Sequence, residues 1–176
     1  MSVITVVIQR RLSVLVPEGI NLSVIVPSRA CEIITSDQHP FKPTEMNQPL
    51  TEKADRLRKK IKILLPEAQE RDPDQKQTIF HSKDKYGNTL YGGTSLGIMA
   101  SELVAAMELG EGWGWTLVVF SETRPIINEL GKIYLVPLSD DAVINPGGTL
   151  KEGFFRFIKD EPSLSSGAPV LFIALI

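Results

Sequence analysis

Cysteine occurs once in these 176 residues, as Cys31, and histidine only twice, as His39 and His81. A lone thiol makes no internal disulfide and no Cys-rich metal site, so the chain reads as a cytoplasmic protein held together by its apolar core. The separations among Cys31, Asp37, His39 and His81 match no metal-ligand pattern, and we expect no metal and no cofactor. Long hydrophobic runs are missing too. The C-terminal stretch Ala168–Ile176 is about half of the roughly 20 residues that a membrane-spanning helix needs, and it reads as a buried strand. At the other end Arg10 and Arg11 follow the apolar run of residues 3–8, the reverse of the order in a secretion signal. There is no basic excess: 19 Lys and Arg stand against 21 Asp and Glu, for a net charge of −2, which argues against a dedicated nucleic-acid binder. No internal repeat is visible.

The hydrophobic share of 43% and charged share of 23% are those of an ordinary globular protein, and the length suits a single domain over residues 1–176. β-branched runs at Val3–Ile8, Leu12–Val16, Ile20–Val26 and Glu32–Thr35, separated by Pro17-Glu18-Gly19 and Pro27-Ser28, predict an N-terminal β-meander. Pro40, Pro43 and Pro49 then make a loop. Leu50, Ala54, Leu57, Ile61 and Leu64 recur at helical spacing, so a helix is expected up to Pro66, with Lys53, Arg56, Arg58, Lys59, Lys60 and Lys62 on its solvated faces. A hairpin follows, from Thr78–His81 to Thr89–Tyr91 around Gly87 and Asn88. A second helix, poor in charge and therefore expected to be largely buried, runs from Thr94 or Ser95 to Gly110. Trp115–Phe120, Lys132–Leu138 and Pro169–Ile176 read as strands, Phe154–Ile158 as strand or helix, and Arg124–Leu130 as one helical turn after Pro125. The order of elements predicts an α+β fold with a mixed or mainly antiparallel sheet, an N-terminal β-meander and two main helices.

Chemistry is in view at one place. Gly93-Thr94-Ser95-Leu96-Gly97 sets a serine in a Gly-x-Ser-x-Gly frame at a helix start, where a hydroxyl can be presented beside free backbone N–H groups. With Ile98, Met99 and Ala100 the run resembles the nucleophile motif of patatin-like acyl hydrolases. That resemblance implies an ester- or thioester-cleaving Ser95, a glycine-rich oxyanion loop upstream and an Asp-Gly pair. The chain departs from the last two: Gly19 is the only glycine before Gly87, and no Asp precedes a Gly. Both histidines precede Ser95, against the usual order of hydrolase triads. Ser95 is accordingly read as a helix cap in a tight turn, with nucleophilic catalysis as the alternative. Gly92, Gly93, Thr94 and Ser95 could instead cradle a phosphate, although no P-loop lysine follows.

Two other features point to contacts with proteins. Trp113 and Trp115 share one face of an extended strand and would form an aromatic patch suited to an interface. Val170–Ile176, centred on Phe172, is apolar on both faces, so it must be central in the sheet, covered by another element, or capped by a second chain. The sequence thus reads as a non-catalytic interaction or assembly protein, a subunit or accessory factor that meets a protein partner or a second copy of itself. The alternative is a small serine acyl hydrolase using Ser95.

Overall fold

The computed structural model describes residues 47–175. The N-terminal meander, Cys31, Asp37 and His39 lie outside the described residues. Along the chain come β1 (Gln48–Pro49), α1 (Glu52–Leu64) with a 3-10 turn at Leu65–Glu67, β2 (Gln69–Glu70), β3 (Phe80–Lys83), β4 (Thr89–Gly92) and α2 (Thr94–Ala106). Then follow β5 (Trp113–Val119), β6 (Arg124–Pro125), β7 (Ile133–Pro137), β8 (Val143–Asn145), β9 (Gly148–Thr149), β10 (Phe154–Ile158), β11 (Ser163–Leu164) and β12 (Pro169–Leu175). Eight strands form one sheet in the order β1-β10-β7-β12-β5-β4-β3-β2, and four form a smaller sheet in the order β6-β11-β8-β9. Every pairing is antiparallel except β2 with β3, so the α+β expectation with a mainly antiparallel sheet and two helices holds for the described residues.

β12 explains the layers. Its full length pairs with β5 on one side and most of it with β7 on the other. Leu171 and Ile173 face one core, with Leu57, Ile61, Leu103 and Met107 of the helix layer, while Val170 and Phe172 face a second core, with Ile126, Ile144 and Leu164 of the small-sheet side. A strand covered on both faces needs apolar residues at every position, which is why this run shows no alternation.

The helices follow their sequence signals. Thr51 caps α1 by accepting from the Ala54 N–H at 3.2 Å, Glu52 and Asp55 sit in the first turn and Lys62 in the last, and Pro66 ends the helix in the 3-10 turn. Ala54, Leu57 and Ile61 are buried and Lys53, Lys59 and Lys60 exposed, as the stripe predicts. Arg58 departs from that scheme. It is 2% exposed, with Nε 2.7 Å from Asp55 Oδ1 and Nη1 2.7 Å from Glu152 Oε2, so it belongs to an ion network beneath the helix.

The segment 124–130 is not helical. Pro125 pairs with Ser163 in the small sheet, and the buried Asn128 ties the following loop down: its Nδ2 donates to the carbonyls of Ile158 and Asp160, and its Oδ1 accepts from the Lys132 N–H. Side-chain bonds to the main chain thus replace the helical ones. α2 differs from expectation in its outer side, where Ile98 is 62% exposed and Ser101, Glu102 and Ala105 are exposed too. No helix among the described residues is long and apolar enough to cross a membrane.

Candidate functional site

β4 turns into α2 through Gly93, which stands at the N-cap with φ +120° and supplies no side-chain cap. Ser95 is therefore inside the first helical turn and not at the cap. The reason for the glycine is steric. A Cβ on Gly93 would come within 2.4 Å of the Thr78 carbonyl oxygen and 2.7 Å of Ile79 Cα, and one on Gly92 would reach within 2.6 Å of the Phe80 ring. These close approaches let the Ser95 N–H donate to the Thr78 carbonyl at 2.9 Å and the Thr94 N–H to the Gln77 carbonyl at 3.4 Å. Two of the N–H groups that a phosphate at this helix start would use are thus taken by the neighbouring backbone.

The Ser95 side chain is half-buried, and its hydroxyl has no hydrogen-bond partner among the described residues. His81 packs edge-on against Tyr91, with ring centroids 6.3 Å apart. Ser95 also lacks the positive φ of a strained nucleophile turn: Glu108 is the only described non-glycine residue with one. Among the described residues, no three His, Cys, Asp or Glu gather into a group that could hold a metal ion.

The two tryptophans lie on the helix-facing side of the large sheet and differ in role. Trp115 packs under α2, where a Cβ on Gly97 would stand 3.9 Å from Trp115 Cζ2. Trp113 donates through Nε1 to the Leu109 carbonyl at 2.8 Å, which ties the start of β5 to the chain just after α2. Its ring meets Tyr134 edge-on at 5.1 Å, and Tyr134 in turn meets Phe155 at 5.7 Å and Phe157 at 4.9 Å. All four are half-buried, and burial pushes the Tyr134 phenol above its usual pKa, so the group carries no charge near neutral pH. No protein-family model, curated protein or solved structure matches the chain.

Phe172 points to the other side. It is 1% exposed and packs on Phe120 at 5.8 Å, and with β12 flanked by β5 and β7 it belongs to the chain's own core instead of an open edge. Sequence reasoning paired the two tryptophans and missed Tyr134, Phe155 and Phe157. No local signal marked them, since β7 and β10 are apolar almost throughout; the strand register does, with Tyr134 opposite Phe157, so the two share a face with Trp115 across Ile173.

Proposed function

We propose that the chain is a non-catalytic interaction or assembly protein whose contact surface is the aromatic end of the large sheet. The observation that carries this reading is the chain of ring contacts centred on Tyr134, in which Trp113, Tyr134, Phe155 and Phe157 remain half-buried. Aromatic side chains dominate the binding energy of protein interfaces because they bury large area at low entropic cost. An uncharged patch of this kind suits an apolar surface of a protein partner. Among the described residues no base bonds the Ser95 hydroxyl, and close packing on residues 78–80 accounts for Gly92 and Gly93 without a bound ligand.

The test is affinity capture of the full chain from its native host, in parallel with a Phe157→Asp variant whose circular dichroism and urea midpoint stay near those of the parent. A protein that co-purifies stoichiometrically with the parent and is lost with the variant supports the reading. Covalent labelling of the parent by a fluorophosphonate probe, abolished by Ser95→Ala, would overturn it in favour of a serine hydrolase.

A further inference from the structure

The outer side of the helix layer carries a second, independent pattern. α1 and α2 pack along their length, and the Thr51 hydroxyl donates to the Ala106 carbonyl at 3.2 Å, so the start of one helix lies beside the end of the other and the two run antiparallel. Away from the sheet, α1 exposes Lys53, Arg56, Lys60 and Ile63, and α2 exposes Ile98, Ser101, Glu102 and Ala105, with Glu108 just beyond its end. Ile63 is 69% and Ile98 62% exposed, the two most open large apolar side chains on this layer. Lys53, Lys60, Glu102 and Glu108 have no ion-pair partner among the described residues, and Arg56 has only Glu52, at 3.9 Å on the surface. The layer therefore sets a helix rich in cations beside one whose single charge is Glu102, with Glu108 just past its end, and each helix has an isoleucine near the same end.

We propose that this face is the interface of a symmetric dimer, with a second copy of the chain as its occupant. A two-fold axis lying between the helices and parallel to them sets α1 of each copy across α2 of the other, antiparallel. The heights then agree. At about 1.5 Å per residue from the Thr51–Ala106 contact, Arg56 lies about 7.5 Å along α1 and Glu102 about 6 Å along α2, level across the interface. Lys53, at about 3 Å, falls between Glu102 and Glu108 of the other copy. Ile63 and Ile98 come at about 18 and 12 Å, and because side chains lean toward the N-terminus of their own helix, on antiparallel helices these two lean toward each other. Packing α1 on α1 instead would set Lys53, Arg56 and Lys60 against their own copies, so charge selects the arrangement.

Two 13-residue helices offer a footprint of about 20 by 20 Å, below the roughly 800 Å² per partner of a standard interface. The dimer is thus expected to dissociate in the micromolar range and to weaken as salt rises. It uses neither the tryptophans nor Tyr134, so it fails or stands separately from the aromatic contact surface.

Sedimentation equilibrium of the full chain from 5 to 300 µM, at low and at 0.5 M salt, tests it. The parent should dimerise, and Arg56→Glu and Glu102→Lys should each weaken the dimer at least about tenfold, since each creates two like-charge contacts. The double variant should dimerise more tightly than either single variant, because the swapped pair is complementary again, although the new cation also meets Lys53 of the other copy. Arg56 and Glu102 are both exposed, so each variant is expected to keep the parent's urea midpoint. A parent that stays monomeric at 300 µM, single variants without effect, or a double variant that fails to recover would each overturn the proposal.

Discussion

The Arg58 guanidinium lies 2.7 Å from Glu152 Oε2, although the two residues are 94 positions apart. This pair ties α1 to the turn before β10. Asp55 accepts from the other side of Arg58, Lys59 bonds Asp55, Lys62 pairs with Glu152, and Asp140 Oδ1 accepts the Glu152 N–H at 2.8 Å. A charge buried to this extent is tolerable only while its partners are present.

Removing one partner should therefore cost far more than removing a surface one. Glu152→Ala leaves Arg58, whose side chain is 3% exposed, with Asp55 alone, and is expected to cost about 3 kcal/mol. Lys62→Ala takes away a pair whose cation is 46% exposed and should cost below about 1 kcal/mol. Urea unfolding of the two variants beside the parent checks the ranking; equal losses would show that the network does not hold the helix down.

The same network makes stability depend on pH. Burial alone raises the Asp55 carboxyl pKa, but hydrogen bonds from Lys59 and Arg58, and their charges, outweigh it and hold the group below the ordinary carboxylate value. A pKa lower in the folded than in the unfolded chain gives stability that is complete above the unfolded value, about 3.9, and is lost as pH falls through the folded one. The gap in urea midpoint between the parent and Asp55→Asn should thus be full at neutral pH and narrow below about pH 4. A gap constant down to pH 2.5 would place the carboxylate outside the network.

How much of this was legible in the sequence depended on whether a signal was local. The α1 stripe and the stop at Pro66 are local and read correctly, and so does the hairpin around Gly87 and Asn88, while the Thr51 cap went unread. Arg58 looked like one more surface cation because its second acid, Glu152, lies far along the chain. Val170–Ile173 was apolar at every position, but the sequence could not say that β5 and β7 supply the two neighbours. At Gly93-Thr94-Ser95 the motif was visible and its reason was not, since the groups that demand glycine belong to residues 78 and 79.

Core packing under α1 gives a third expectation. Leu57 is 7% exposed and sits in the helix-side core with Ile61 and Leu103, so Leu57→Ala should cost roughly 2–5 kcal/mol through lost burial and the cavity left behind. Ile63→Ala, on the opposite side of the same helix, should stay within about 0.5 kcal/mol at concentrations where the chain is monomeric. A Leu57→Ala loss below about half a kcal/mol would mean that α1 does not rest on the sheet.

The turn at Ser95 separates packing from reactivity most directly. Gly93→Ala demands φ +120°, a conformation L residues avoid, and drives a methyl to 2.4 Å from the Thr78 carbonyl, a backbone atom that cannot rotate away. The loss should be about 3 kcal/mol or more, the sum of backbone strain and a displaced strand. Ser95→Ala removes only a half-buried hydroxyl without a hydrogen-bond partner among the described residues, and should leave stability within about 0.5 kcal/mol. The contrast follows from what the motif does here: the glycine lets two backbones meet, and the serine's contribution to that meeting is its N–H, which alanine keeps. Equal, small effects of both substitutions would show that residues 78–80 do not press on this turn, and that its glycines need another reason.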